Sequence, residues 1–338
     1  RKRVTPEKMR EISVTSLSKL SDMELDKMGR ITNPLFLKEG EDTYEEIDWG
    51  SAFKIIASKI NGSDDPDENV LYTSGRASNE AAFLWGVLAR QIGTNNLPDC
   101  SNMCHESSGV ALSESIGIEK GTVKLSCFER ADLILVIGQN PGTNHPRMLT
   151  ALAACKENGG SVVSINPLEE TAMKRFKHPQ NPLHLIGRGV QIADEHLPVR
   201  IGGDAALLQG FAKTILSQGG ADLDFISANT LGFEDWKKHI ESTDWEKIVE
   251  QSGISRDRIE KTGNAIAKSE RMIVCWAMGL TQHENSVAVI QEVSNLLLAG
   301  GHFGKPGAGA CPVRGHSNVQ GDRTCLLYTS PSPRDGQI

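Results

Sequence analysis

The chain has 338 residues, which at roughly 150 residues per domain is enough for about two globular domains with buried cores. Apolar residues make up 38% of the chain and charged residues 23%, and no apolar run approaches the roughly 18 residues that span a bilayer, so we expect no membrane insertion. The formal charge is −7 without a basic stripe, which argues against nucleic acid as a partner and favours a small-molecule ligand.

Both ends of the chain call for separate treatment. The sequence opens at Arg1 rather than Met, so the absence of a targeting signal says nothing about a signal ahead of it. Its seven irregularly spaced cysteines do not form the pattern of a disulfide framework, so a reducing compartment and a cytoplasmic location are expected. Residues 325–338 fit no helix or strand period and resemble the conceptual translation of a sequencing adapter. We predict that this tail is non-native and carries no function; an ordinary disordered Ser/Pro tail is the alternative.

After a polar segment at residues 1–48, one pattern recurs along the chain. A short β-branched or apolar run ends in Gly, Asn or Ser, and a polar turn then leads into a helical stretch, which is typical of parallel β-α-β units. The pattern predicts strands at 70–76, 133–137, 161–165 and 272–276, and helices at 79–91, 145–158, 204–217, 255–267 and 286–298.

Polar turns follow several of these predicted strands. In an open parallel sheet such turns lie at one edge, where helix N-termini favour phosphate, so together they suit a large polar ligand such as a nucleotide-bearing cofactor. Each turn alone could be a helix cap, and Asp204 is predicted to cap its helix. No G-x-G-x-x-G follows a strand and no P-loop occurs, so the fingerprints of ordinary NAD and nucleotide triphosphate binding are absent.

Cys104 beside His105, just before a Ser-rich helix start, is placed for a lowered thiol pKa and for thiolate chemistry or soft-metal ligation. A buried structural thiol is the alternative. Cys100 and Cys104 have no third cysteine nearby with which to build an iron–sulfur cluster. His145 could bind phosphate or cap a helix, and Arg314, in a glycine-rich loop, could bind a substrate anion or form a surface ion pair.

Several short motifs carry a family resemblance when they are taken in order. They are Cys104-His105, the turn from Gly138 to Pro146, Asn166-Pro167, Gly202-Gly203-Asp204, the turn from Trp276 to Gln282, Gly304 to Gly309, and Pro312 to Gly321. This order is that of the molybdopterin oxidoreductases. The sequence resembles the formate dehydrogenase H-like group of that family, and most of all its YdeP-like branch, over nearly all of residues 1–324.

The resemblance implies a catalytic subunit that holds molybdenum, or tungsten, between two molybdopterin guanine dinucleotides. Cys104 matches the protein ligand to the metal, His105 the neighbouring proton acceptor, and Arg314 the arginine that orients an anionic substrate; these are chemically sensible roles. The same matching places a further set along the pterin dinucleotides: Gly138, Asn140, Thr143, Asn144, His145, Asn166, Gly203, Asp204, Met278 and Gln282. Electrons would leave through a [4Fe-4S] cluster, with an electron-transfer partner subunit possible.

The resemblance also implies a fold. We expect an α/β protein with two Rossmann-like lobes and parallel sheets, a fragment of the multi-domain molybdopterin oxidoreductase fold. Residues 49–102 and 313–324 would form an incomplete first lobe and residues 103–312 the dinucleotide-binding second lobe. The cluster ligands would precede Arg1 and a closing domain would follow Thr324, so the fragment alone is expected to be inactive.

Two departures leave the substrate open as formate or another small anion. Glu106-Ser107 stand where formate-oxidising relatives have Gly-Pro, and His316-Ser317 stand where they have Gln-Asn. A cofactor-free structural or electron-transfer member of the same fold is one alternative, which an intact Cys104-His105 and Arg314 disfavour. An unrelated α/β nucleotide-binding module without metal is the other.

Overall fold

The computed structural model of the chain describes residues 2–180, 182, 187 and 189–328. The chain divides into two compact units, one formed by Arg1–Tyr72, Glu80–Pro98 and Leu326–Ile338, and the other by Thr73–Asn79 and Asp99–Cys325. All of the predicted site residues belong to the second unit. The lobe boundaries inferred from the family resemblance stay a prediction.

The first unit is built from short elements. Strands β1 (Arg3–Val4) and β2 (Arg30–Ile31) pair in parallel, and β3 (Leu35–Phe36) pairs with β4 (Glu45–Glu46) in antiparallel. Ser21 and Glu24 form a capping box, which satisfies backbone N–H groups where a helix begins. The helical segments are α1 (Pro6–Arg10), α2 (Val14–Leu17), α3 (Asp22–Met28), α4 (Trp49–Asn61), the 3-10 turn Pro66–Glu68 and most of α5 (Asn79–Ile92).

A five-stranded parallel sheet forms the centre of the second unit. Its strands are β5 (Leu133–Ile137), β6 (Ser161–Ile165), β7 (Glu195–Leu197), β8 (Met272–Trp276) and β9 (Gly309–Pro312), in the order β7-β6-β5-β8-β9. Every residue of β5 and β8 is buried. These strands therefore read as continuous apolar runs, as expected for a sheet covered on both faces. The predicted α/β class with a parallel sheet is confirmed.

Alternate residues of the strands pack into two separate cores. Leu133 and Leu135 of β5 face one cluster with Phe211 and Val293, whereas Ile134 faces the other cluster on the opposite side of the sheet. The helices of this unit are α6 (Ser101–Cys104), α7 (Glu106–Ile116), the 3-10 helix Leu125–Arg130, α8 (Pro141–Asn144), α9 (Met148–Glu157), α10 (Thr171–Lys174), α11 (Asp204–Ser217), α12 (Leu223–Asn229), α13 (Phe233–Ser242), α14 (Trp245–Ser252), α15 (Arg256–Lys268), α16 (Met278–Thr281), α17 (Ser286–Ala299) and most of α18 (Val319–Tyr328).

The strand order reverses between β5 and β8. From β5 the chain proceeds to β6 and β7 on one side, and β8 and β9 lie on the other, so the loops that leave β5 and β8 diverge around a crevice. In open α/β sheets this switch point is where ligands bind. Gly138 and Gly279 bring the two loops into backbone contact there, with the Gly279 N–H donating to the Gly138 carbonyl at 3.0 Å.

Some predicted elements differ from the structure. The predicted strand at 70–76 is wrong: Thr73 makes an isolated bridge to Asp99 in place of a strand. The predicted helix at 145–158 begins only at Met148, and Gly203 occupies the capping position that was predicted for Asp204, which is the first helical residue.

The predicted irregular tail is helical through Tyr328, because α18 continues that far. The rest of the tail prediction, residues 329–338, lies outside the described residues. Within the described ranges, no helix is long and apolar enough to cross a membrane.

Candidate functional site

Cys104 is the last residue of the short helix α6, directly before His105 and helix α7. Its half-buried thiol lies near the backbone N–H of Gly315 and near the charge of Arg314. Burial nevertheless raises the pKa of the Cys104 thiol, against the lowering contributions of Gly315 and Arg314. The predicted lowering of this pKa is therefore wrong for the chain alone, since burial outweighs the two lowering contributions.

His105 is fully buried, and both of its ring nitrogens have partners. Its Nδ1 lies 2.8 Å from the hydroxyl of Ser108, and its Nε2 lies 3.1 Å from the backbone carbonyl of Val313. Burial, reinforced by the nearby charge of Arg314, lowers the pKa of His105 to about 4. The imidazole is therefore neutral near pH 7.

Arg314 follows β9 and completes the group around Cys104. Its guanidinium donates from Nη2 to the carbonyl of Glu119 at 3.4 Å, while its Nε is buried without a hydrogen-bond partner in the described part of the chain. Burial lowers the pKa of Arg314 from its ordinary high value, although Cys104 and Glu119 counteract this. The backbone carbonyl of Arg314 accepts from Nε2 of His145 at 2.9 Å. The structure thus brings Cys104, His105, His145 and Arg314 together.

The segment that carries Cys104 is tied to the end of β8. The side-chain amide of Gln282 donates to the carbonyl of Met103 at 2.7 Å, and the hydroxyl of Ser107 donates to the carbonyl of Thr281 at 3.2 Å. Met278 begins α16 at the same strand end. The departure from the family pattern at Ser107 therefore has a structural use, since it anchors this segment.

The predicted cofactor residues after β5 lie close together in sequence and space. Gly138 follows the strand directly with φ +57°. The side chain of Asn140 accepts from the N–H of Thr143 at 3.1 Å and so caps α8, which contains Thr143 and Asn144. Asn140 therefore has the capping role that was weighed against ligand binding for these turns.

Asn166 and Asp204 lie farther along the same edge of the sheet. The amide of Asn166 donates to the carbonyl of Leu168 at 3.0 Å, just after β6. Gly203 caps α11 after β7, and a Cβ there would lie 2.5 Å from the carbonyl oxygen of Gln251. Burial raises the pKa of Asp204 to about 6, and the nearby His283 partly offsets the rise.

A cavity of about 850 Å³ adjoins this group within the second unit. Its wall includes His145, Arg147, Met148, Phe176 and Arg314. The volume lies in the range of roughly 300–1,000 Å³ that is usual for ligand pockets. Of the residues predicted to bind the cofactor, His145 lines this cavity; the others follow the strand ends.

Several groups that shape the site were not predicted from the sequence. Glu106, noted only as a departure from the family pattern, forms an ion pair with Arg323 of α18. The hydroxyl of Ser108 joins His105 to the indole N–H of Trp276, which donates to it at 2.9 Å. Contacts between residues that are this distant in sequence leave no mark on local spacing, so only the irregularity at Glu106 could have pointed to them.

Within the described residues, no group of three or more His, Cys, Asp or Glu side chains is arranged to hold a metal ion. The single candidate ligand from the sequence, Cys104, would therefore be one protein donor to a metal whose other donors come from elsewhere.

Comparison with known proteins gives a consistent result. The family model described as molybdopterin oxidoreductase matches residues 30–324. The chain is 47% identical over 331 residues to an uncharacterized oxidoreductase of Mycobacterium tuberculosis (96% of this chain, 42% of the relative), and 45% identical over 333 residues to protein YdeP of Escherichia coli K12 (95% and 44%). It is 29% identical over 293 residues to the F420-dependent formate dehydrogenase 2 subunit alpha of Methanococcus maripaludis (86% and 40%).

Among solved structures, acetylene hydratase from Pelobacter acetylenicus superposes with a TM-score of 0.68 at 21% identity, covering 89% of this chain and 39% of that one. This likeness concerns the fold alone. The chain spans less than half the length of these relatives. The match to the family model over most of the chain shows that it belongs to the molybdopterin oxidoreductase family.

Proposed function

We propose that the chain is part of an oxidoreductase in which Cys104 ligates molybdenum, or tungsten, held between two molybdopterin guanine dinucleotides, and in which Arg314 orients formate or another small anion. The observation that carries the proposal is the meeting of Cys104 with Arg314 and the Gly315 N–H, in a chain of this family. When bound, the cofactor supplies two-electron redox chemistry.

The residues present fit such a group. Cys104 offers a soft sulfur donor, which suits a metal whose other ligands are sulfurs. At the switch point, glycine at positions 138 and 279 lets the two loops meet without side chains between them, since a Cβ on Gly138 would lie 2.7 Å from Gly279 Cα. The dinucleotides would extend along the strand ends by way of Gly138, Asn140, Thr143, Asn144, His145, Asn166, Gly203, Asp204, Met278 and Gln282.

Arg314 and His105 would act at the substrate. The buried Nε of Arg314 lacks a partner within the described chain, and an anion could supply one. The family role of His105, that of proton acceptor, requires a free nitrogen. For that role His105 would have to release either the hydroxyl of Ser108 or the carbonyl of Val313.

The wider assembly is also part of the proposal. A [4Fe-4S] cluster held outside this chain and an electron-transfer partner subunit would accept the electrons, and the chain alone would be inactive. A cytoplasmic location is supported by the seven cysteines, none of which forms a disulfide in the described part of the chain.

Metal and pterin analysis of the longest natural protein that contains this chain tests the proposal. Wild type from a host that makes and inserts the cofactor should hold about one molybdenum or tungsten and two guanine dinucleotides per chain. Cys104→Ala should change the sulfur coordination seen by X-ray absorption, whereas Cys127→Ala, in the 3-10 helix of the second unit, should not. Protein free of metal and pterin, from a host that loads a reference enzyme, would instead support a cofactor-free member of the family.

A further inference from the structure

The loop that carries Arg314 leaves the sheet with carbonyl groups in need of partners. The last ladder hydrogen bond of β9 runs from the N–H of Val313 to the carbonyl of Trp276 at 2.8 Å. Beyond it, helix α18 begins only at Val319. Carbonyl groups in such a partly buried segment have to be satisfied by other parts of the chain.

Two histidines from separate elements supply these partners. Nε2 of His105, between α6 and α7, lies 3.1 Å from the carbonyl of Val313, and Nε2 of His145, between α8 and α9, lies 2.9 Å from the carbonyl of Arg314. A carbonyl oxygen only accepts, so both Nε2 atoms carry a proton. Two imidazoles therefore hold two consecutive carbonyls of one loop.

The second nitrogen of each ring is fixed as an acceptor. The indole of Trp276 donates to the hydroxyl of Ser108, which leaves the hydroxyl proton of Ser108 for Nδ1 of His105. The side-chain amide nitrogen of Gln139 lies 3.3 Å from Nδ1 of His145 and donates to it. Each ring thus donates from Nε2 and accepts at Nδ1.

We propose that His105 and His145 act as a clamp on the Arg314 loop, positioning Arg314 and the Gly315 N–H against Cys104 through hydrogen-bond donation from Nε2. The inference deepens the proposed function, on which its meaning for catalysis rests. His105 and His145 are positioning residues in this account, and neither needs to change its protonation state. The clamp itself depends only on contacts within the chain.

Two kinds of substitution distinguish hydrogen-bond donation by the imidazoles from a change in their protonation state. Glutamine retains a side-chain N–H₂ near the position of Nε2 but cannot act as a base, whereas leucine removes the donor. His105→Gln and His145→Gln should therefore resemble wild type, and His105→Leu and His145→Leu should release the loop. The exposed His239 of α13 serves as a matched control, because His239→Leu removes an imidazole away from the loop.

The readout is trypsin cleavage at the Arg314–Gly315 bond of the cofactor-free, full-length protein, followed by mass spectrometry together with hydrogen exchange of the peptide over 312–318. Cleavage in the leucine variants should rise at least about tenfold, which corresponds to about 1.4 kcal/mol of easier local opening. The glutamine variants and His239→Leu should stay within about twofold of wild type.

Two results would overturn the clamp. One is unchanged cleavage and hydrogen exchange in both leucine variants. The other is release of the loop in both glutamine variants. This second result can be obtained even if the leucine variants do not fold. Because the cleavage assay needs no metal, it separates failure of the clamp from failure of the proposed cofactor.

Discussion

Replacing Gly138 or Gly279 tests whether the close backbone approach of the two loops at the switch point stabilises the fold. A Cβ on Gly279 would lie 2.3 Å from Gly138 Cα, and a Cβ on Gly138 would lie 2.7 Å from Gly279 Cα. Cβ atoms do not approach backbone so closely, so alanine at either position has to push the loops after β5 and β8 apart. Gly138 also has φ +57°, which an L-residue adopts only at a cost.

Gly117, at the end of α7, provides a control for the cost of a positive φ. It has φ +76°, and nothing lies within 4 Å of where its Cβ would be. Gly117→Ala should therefore lose only the left-handed cost of about 1–2 kcal/mol in free energy of unfolding. Gly279→Ala, within helix α16, should lose only about 1–3 kcal/mol from overpacking. Gly138→Ala should lose both, about 2–5 kcal/mol.

Urea unfolding of the cofactor-free protein measures these differences, followed by tryptophan fluorescence. Three of the five tryptophans lie in the second unit: Trp236, Trp245 and the buried Trp276. The expected order of stability is wild type, then Gly117→Ala and Gly279→Ala, then Gly138→Ala. Wild-type stability of Gly279→Ala would refute the close backbone approach. An equal loss in Gly117→Ala and Gly138→Ala would show that the approach adds nothing to the left-handed cost.

Two buried groups predict opposite pH dependences of stability in the cofactor-free chain. The pKa of Asp204 is raised from 3.8 to about 6, so the free energy of unfolding should fall by about 3 kcal/mol as pH rises from 4 to 6. Asp204→Asn should therefore be more stable than wild type at pH 7 but not at pH 4. Equal effects of the substitution in urea unfolding at both pH values would contradict this. The pKa of His302 is lowered from 6.5 to about 4, so stability should fall by about 3 kcal/mol as pH drops through that window. His302→Asn, which can still accept from the Met272 N–H, should flatten the acid limb of a melting-temperature profile; an unchanged limb would assign it to other groups.

Local pattern was enough to predict the central strands. Leu133–Ile137 and Met272–Trp276 are runs of apolar residues bounded by turns, because both of their faces are buried. The edge strands could not be found this way. Glu195–Leu197 is polar and Gly309–Pro312 has small residues without β-branching. Each forms a strand only because it pairs with the backbone of a neighbouring strand.

The site was predictable where it depends on motifs and not where it depends on packing. Cys104, His105 and Arg314 could be singled out by residue type, and the structure brings them together. The partners of the two histidines could not, since His105 and Val313 are 208 residues apart and His145 and Arg314 are 169 apart. The raised pKa of Cys104 could not be predicted either, because it results from burial, which sequence spacing does not show.

The length of the predicted cofactor edge favours an extended ligand. From Arg314 after β9 to Gly203 after β7 there are four strand spacings of roughly 4.8 Å, or about 19 Å. A small anion could contact only one end of such an edge, whereas a dinucleotide could reach along it. If so, substrate chemistry is confined to the end where Cys104 and Arg314 meet, and the positions after β6 and β7 serve binding. Substitutions at Asn166 or Gly203 should then weaken cofactor retention, while those at Arg314 should change substrate use in enzyme that still holds its cofactor.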